Sequence, residues 1–235
     1  MSDPDSILAI IPARGGSRGL PRKNVQLMAG RPLIGWSVEA ARSAPVVSRV
    51  IVSTDDQEIA DAAREAGAEV PFSRPTDLAG DTATTLDVVV HALDFLASSE
   101  GYEPDWIVLL QPTSPLRIAD DIEAAVRLQK KRSARAVVSV SAVDHPPEWS
   151  RRLSPDGVLL PWLGAETLAR RQEGNIVYRI NGAIYLIEPR TLRFEGTFFP
   201  DPTHALIMPA ERSIDIDKQW DFHLANLVLK AQREA

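Results

Sequence analysis

Residues 7–24 read ILAIIPARGGSRGLPRKN, and the junction inside that stretch decides the fold. Ile7 to Pro12 is a near-continuous apolar run, the pattern of a strand buried on both faces of a sheet. The next eleven positions, Arg14 to Asn24, hold three glycines and four cations. A strand that empties into a glycine-rich basic loop is an α/β feature, because ligands of open α/β sheets bind beyond the carboxyl ends of strands. Backbone N–H groups at glycines approach phosphate oxygens closely, and Arg or Lys side chains then neutralise the polyanion. The spacing is neither G-x-G-x-x-G nor G-x-x-x-x-G-K-[ST], which disfavours a dinucleotide oxidoreductase and a P-loop NTPase. A solvated basic loop is the plain alternative.

The alternation continues outward from that junction. Helical spacing is expected over 34–44, 56–66, 84–98 and 119–132, and strands over 49–54, 105–110 and 136–141, with a short one at 69–72. Gly67 is placed to end the second helix. In the third, Leu86, Val89, Val90, Leu93 and Leu96 share one face. The fourth has acid in its first turn and base in its last, matching the helix dipole. Alternating β and α elements predict a largely parallel sheet covered on both faces. The rhythm stops near residue 142, and 144–178 carries prolines, Trp149, Trp162 and clustered arginines without a period. Long irregular stretches in compact domains are usually functional or partner-ordered. We read it as an insert in a single domain spanning 1–235. Pattern resumes at 181–187, and a last helix is expected over 218–233.

The composition agrees with a globular protein. The 235 residues are 44% hydrophobic and 25% charged, with 26 basic and 32 acidic side chains and a net charge of −6. An acidic chain argues against a nucleic-acid partner and makes local basic clusters more telling. No stretch approaches the roughly 20 apolar residues of a membrane span. The acidic start, Met1 to Asp5, lacks the basic region of a signal peptide. The absence of cysteine excludes a disulfide framework, a thiol nucleophile and thiolate-bound zinc. A cytoplasmic protein without membrane contact is expected.

Three further segments carry chemistry. Arg74 to Thr85, RPTDLAGDTATT, offers Asp81, Thr82 and Thr84 as helix caps, and such a loop can also present backbone groups to a ribose or base. Leu110 to Arg117, LQPTSPLR, is a proline-fixed turn after a buried strand, where Gln111 and Thr113 can hydrogen-bond a pyrimidine edge. In Ser213 to Asp217, SIDID, residues i and i+2 of an extended chain share a face. Asp215 and Asp217 then stand side by side, as a hard cation such as magnesium requires, or mark a solvated strand end.

Together these segments resemble the acylneuraminate cytidylyltransferase family, the CMP-sialic acid synthetases. The markers are IPARGGSRGLPRKN, IVSTDD, RP…LAGDTATT, LLQPTSPLR, RINGAIY and SIDID, in the family's order and over the whole chain. The related 3-deoxy-manno-octulosonate enzymes open similarly but usually lack an Arg-Lys-Asn ending like Arg22-Lys23-Asn24. The resemblance implies a three-layer α/β fold of the Rossmann-like nucleotide-diphospho-sugar transferase type, with a dimerisation insert. It implies that CTP and a 2-keto sugar acid yield a CMP-sugar and pyrophosphate, with Mg²⁺ as cofactor (Mn²⁺ as a substitute), in a homodimer. By carry-over Ala13, Arg14, Gly15, Gly16, Lys23 and Asn24 hold the nucleotide, and Ala79, Gly80 and Thr82 line the cytidine. Gly80 stands where many relatives carry Ser or Thr. Gln111 and Thr113 read the base and sugar region, Arg171, Arg179, Asn181 and Gln111 approach the sugar acid, and Asp215 and Asp217 hold the metal. Arg14, Lys23, Asp215 and Asp217 form the catalytic set. Legionaminic, pseudaminic, deaminated neuraminic and octulosonic acids are alternative acceptors to N-acylneuraminate. A non-catalytic nucleotide-binding dimer is the alternative outside enzymes, and the intact charged set speaks against it. Of the histidines, His91 and His223 fall in helices as surface or packing residues, and His145 is a weak specificity candidate. Trp149 and Trp162 are either interface anchors or core.

Overall fold

A computed structural model describes residues 5–16, 19–80, 82–145, 147–162 and 176–234. In chain order its strands are β1 (Ile7–Pro12), β2 (Leu27–Met28), β3 (Arg31–Pro32), β4 (Arg49–Ser53), β5 (Trp106–Leu109), β6 (Ala136–Ala142), β7 (Arg151–Leu153), β8 (Leu159–Pro161), β9 (Tyr178–Ile187) and β10 (His204–Ile207). The helices are α1 (Leu33–Arg42), α2 (Gln57–Glu65), α3 (Thr85–Glu100), α4 (Ala119–Arg132), α5 (Pro189–Glu195) and α6 (Gln219–Glu234).

Six strands form one sheet in the order β10-β6-β9-β5-β1-β4. β1 pairs in parallel with β4 and β5, and β6 with β10. Only β9 runs against its neighbours, pairing antiparallel with β5 and β6. The expected mostly parallel sheet is therefore present, with one reversed strand inside it. β1 shows why the apolar run is continuous. Ile7, Ala9 and Ile11 enter the core under α1, α2 and α4, while Leu8 and Ile10 enter the core under α3 and α5. Each fully buried Leu or Ile contributes about 1.5–3 kcal/mol, so both faces of this strand are held firmly. A third cluster joins Leu20, Met28, Leu33, Leu116 and Ile216 to Phe222, Ala225 and Leu229 of α6.

The expected strand at 69–72 is reduced to isolated bridges, Ile51 to Glu69 and Thr54 to Ser73. Pro71 lacks the N–H a ladder needs, which limits this edge to single contacts. The edge strand β10 and the short α5 were not expected. β7 and β8 form a separate two-stranded antiparallel sheet within the insert. His91 packs edge-on to Phe72 at 4.9 Å, in the packing role expected of it. Among the described residues no helix is long and apolar enough to cross a membrane.

Candidate active site

The parallel strands β1, β4 and β5 end at one edge of the sheet, and the loops that leave them meet there. A cleft of about 390 Å³ opens at that edge. Arg14, Arg74, Gly80, Thr84, Gln111, Thr113, Asp215 and Asp217 are among its walls. All four sequence segments thus supply both a wall and a charged or hydrogen-bonding side chain.

The opening loop is held from several directions. Ala13 is buried, and its N–H donates to the Ser53 carbonyl at 2.9 Å, extending the β1–β4 ladder by one step. Arg14 Nη1 donates to the Gly80 carbonyl at 3.3 Å, which joins the first and second segments. Gly19 lies against the acidic segment so closely that a Cβ there would stand 2.1 Å from the Asp217 carbonyl oxygen. That approach explains the glycine without any appeal to phosphate. Lys23 Nζ donates to the Ile216 carbonyl at 2.6 Å, between the two carboxylates. Burial pushes the Lys23 ammonium down, and Asp217 and Asp215 oppose that shift.

The acidic segment is not a sheet strand, although it is extended enough to alternate. Ile216 is fully buried in the α6 cluster with Ile214 packed beside it, while Asp215 and Asp217 line the cleft. The segment is pinned by Ile216 N–H donating to the Thr113 carbonyl at 2.8 Å. Burial pushes the Asp215 carboxyl up, a hydrogen bond with Thr113 opposes this, and the Asp217 charge adds to it. Asp215 Oδ1 is buried with no hydrogen-bond partner among the described residues. A pair of carboxylates, one with an orphaned buried oxygen, has the chemistry of a cation's donor set. It suits Mg²⁺, which is usually held by one or two carboxylates and completed by substrate phosphates and water.

Several expected contacts fall elsewhere. Asn24 is buried, and its Nδ2 donates to the Arg14 carbonyl at 3.1 Å, so it holds the loop from beneath. Asn181 is 1% exposed, with its amide held by protein groups. Its Oδ1 accepts from Ser139 Oγ at 2.6 Å and its Nδ2 donates to Ser213 Oγ at 2.9 Å. This ties the irregular register between Val138 and Val140 to the segment bearing Asp215. Bulged pairings next to a site commonly re-aim side chains in this way. Arg179, opposite Ser141, is near enough to Asp215 to favour its charge. Thr82 is exposed and not part of the cleft wall, which Ala83, Thr84 and Thr85 supply. Thr84 is the cap of α3, accepting from Asp87 N–H at 3.1 Å in a capping box with Asp87. Gly16 is exposed, and Ala79 follows a short 3-10 turn over Thr76–Leu78. Arg171 lies outside the described residues, as do Arg170, Arg18 and Asp81.

Two arginines quoted in the motifs have roles that their residue type does not announce. Arg74 is 5% exposed, and its guanidinium donates to Ser53 Oγ at 3.1 Å and to the Ser53 carbonyl. Burial pushes it down to about 10, with Asp55 opposing. Arg117 is 2% exposed and donates to the Ala183 carbonyl at 2.8 Å and to Ser37 Oγ at 2.7 Å, with a longer bond to the Gln111 carbonyl at 3.4 Å. It locks the turn that presents Gln111 and Thr113. Position in a proline-rich turn directly after a buried strand was the available signal for Arg117. Nothing in sequence separates a buried Arg74 from a surface one.

Trp149 and Trp162 are 43% and 52% exposed, which removes the core reading. Arg152 lies over the Trp162 ring at 4.0 Å, and His145 stacks on Trp149 at 5.8 Å.

A cationic loop facing paired carboxylates, at the carboxyl ends of parallel strands, defines the class: a phosphate-handling α/β enzyme. Residues 8–195 match the family model described as Cytidylyltransferase. CMP-N,N'-diacetyllegionaminic acid synthase of Legionella pneumophila is 36% identical over 230 residues, covering 97% of this chain and 98% of that protein. N-acylneuraminate cytidylyltransferase of Streptococcus agalactiae is 36% identical over 217 residues, covering 92% of this chain but 51% of that protein. The chain therefore spans about half the length of the latter. In fold it is similar to a CMP:2-keto-3-deoxy-manno-octonic acid synthetase complexed with CTP, with a TM-score of 0.71 at 19% identity over 97% of this chain and 99% of that one. The chain belongs to the cytidylyltransferase family and is a nucleotidyltransferase.

Proposed function

We propose that this chain transfers CMP from CTP to the anomeric hydroxyl of a nonulosonic acid. The hydroxyl oxygen forms a bond to the α-phosphorus, the bond from that phosphorus to the bridging oxygen breaks, pyrophosphate leaves, and the hydroxyl proton passes to solvent. Such a reaction needs no covalent link to protein, so positioning and charge neutralisation carry it. The single observation behind the reading is the convergence of Arg14, Lys23, Asp215 and Asp217 on one cleft edge.

In this reading Arg14 and Lys23 neutralise the triphosphate. The Lys23 bond to the Ile216 carbonyl keeps its ammonium between the carboxylates rather than paired to one of them. Asp215 and Asp217 would hold Mg²⁺, which when bound offsets the charge developing on the departing pyrophosphate. Gln111 and Thr113 face the cleft from a turn that Arg117 makes rigid, and they read the pyrimidine edge. Arg179 is placed for the acid's carboxylate, since a guanidinium recognises carboxylates by paired hydrogen bonds. The insert 144–178 joins two copies into a homodimer and shapes the sugar end.

N-acylneuraminate is the first acceptor to test. Legionaminic-type acids are the second, supported by the match along nearly the full length of the legionaminic enzyme. The test is pyrophosphate release from purified protein with Mg²⁺, four nucleotides and a panel of keto-sugar acids. CTP with a nonulosonic acid gives turnover, and UTP, ATP and GTP give far less. Equal turnover with GTP removes the base-reading role of Gln111, and none with any acid removes the enzyme reading.

A further inference from the structure

We propose that Asp55 is a positioning residue for the triphosphate: with Asn24 it clamps the peptide unit between Arg14 and Gly15 and so aims Arg14 into the cleft. The inference rests on the reading of this cleft as the CTP site. It starts from one planar group. The carbonyl of Arg14 accepts from Asn24 Nδ2 at 3.1 Å, and the N–H of Gly15 in the same peptide donates to Asp55 Oδ1 at 3.0 Å. A peptide is rigid about its own bond, so bonds at its two opposite edges fix its orientation as a plate. Without them the plate can turn, because glycine on its far side accepts most backbone conformations. In this orientation Arg14, on the near side, reaches the Gly80 carbonyl and a cleft wall.

The two clamping groups come from different places. Asn24 follows the loop and is buried, while Asp55 stands just past β4. Adjacent acids there divide the work. Asp56 Oδ1 caps α2 by accepting from Ile59 N–H at 3.0 Å, which leaves Asp55 for the loop. Asp55 also favours the charge of buried Arg74, so one carboxylate supports two cleft arginines. A bond from an amide to an ionised oxygen is stronger than a neutral one. A carboxylate near phosphates otherwise repels them, so its presence argues for placement rather than ligand contact.

The experiment compares Asp55→Ala with Asp55→Asn, using CTP titration calorimetry with Mg²⁺ and steady-state kinetics in both substrates. Asn keeps an oxygen acceptor and removes the charge, whereas Ala removes both. The expected result is a CTP affinity and KM about tenfold weaker in the Ala variant, the scale of one lost hydrogen bond to a charged group. The Asn variant should stay within about threefold, and the sugar-acid KM should be unmoved in both. Unchanged or tighter CTP binding in the Ala variant overturns the clamp, as does equal loss in both variants or a parallel rise in the sugar-acid KM. A wild-type protein that binds no CTP overturns the cleft reading itself, and the clamp with it; the two failures are thereby distinguished.

Discussion

The cleft at the strand ends and the hairpin of the insert are built in opposite ways. In and beneath the cleft, polar groups are buried and held: Arg74 is 5%, Arg117 2% and Asn181 1% exposed, each with protein partners. At the hairpin, apolar groups face outward: Leu153 is 68%, Leu159 69% and Trp162 52% exposed. Buried polar networks that are satisfied are rigid and specify one arrangement. Exposed apolar patches mark a surface waiting for something to cover it. The homodimer proposed for this chain would give the second region its cover. Substitutions should therefore act on chemistry at the cleft and on association at the hairpin.

The carboxylates offer the sharpest break. Asp215→Asn and Asp217→Asn should each lower turnover by about 100-fold or more, the scale of removing one preorganised charge-stabilising group. They should do so without loss of the native fold. Asp215→Asn should also stabilise the metal-free protein near pH 7. An acid whose folded pKa is raised adds stability while protonated, and that contribution is lost as pH rises through its ordinary and then its raised value. At neutral pH the buried charge is thus a cost, which Asn removes. The melting temperature should rise by about 2 °C, as expected for a gain below 1 kcal/mol in a chain of this size. Near-normal turnover with ordinary Mg²⁺ dependence in both variants would remove the pair from the chemistry. A fall in melting temperature for Asp215→Asn would contradict the burial argument.

Arg117 tests whether the rigidity of the cleft is mechanical. Burial pushes its guanidinium down to about 9, so it remains protonated at neutral pH. Arg117→Met leaves the Ala183 carbonyl and Ser37 Oγ without their donor. Stability should drop by about 2–3 kcal/mol, as for orphaned buried polar groups, and the KM for CTP should rise several-fold as the Gln111 turn loosens. Arg117→Lys should not rescue, since an ammonium lacks the planar fork that spans both acceptors. Thermal melts and CTP kinetics decide this, and full rescue by Lys would show that charge alone matters there.

This contrast also marks what the sequence made legible. Strands such as Ile7 to Pro12 declare themselves because burial on both faces forces a continuous apolar run. The Asp215 and Asp217 face is visible because alternation places Ile214 and Ile216 opposite. Asn181 is not legible in the same way, because an amide that binds sugar and an amide that binds Ser139 and Ser213 are the same residue in a string. The clamp of Asn24 and Asp55 on one peptide needs segments 31 residues apart to meet at a third. β10 is not legible in the string because a short edge strand, with Ile207 60% exposed, lacks the pattern of a buried one.

The smallest expected effect on chemistry and the clearest on assembly belong to the hairpin. β7 and β8 pair with each other outside the main sheet, so Leu153 and Leu159, directly opposed across that pair, present a joint apolar face. On the opposite face of the hairpin Arg152 lies over the Trp162 ring beside Leu160, and Trp149 with its stacked His145 adds a second exposed aromatic. Aromatic and arginine side chains in this arrangement are typical anchors of protein interfaces. Light scattering should report about twice the chain mass of 25.8 kDa. A Leu153→Ser, Leu159→Ser double variant should shift the population towards the single chain, because polar groups in an interface centre lose the transfer free energy that drives association. CTP binding should change little, since the described cleft walls include no hairpin residue. The KM for the sugar acid should rise a few-fold if the partner's insert reaches the sugar end. A wild-type monomer at micromolar concentration with full activity would make the insert a lid over its own cleft. A monomeric double variant with unchanged sugar-acid KM would keep the interface and remove the partner from the site.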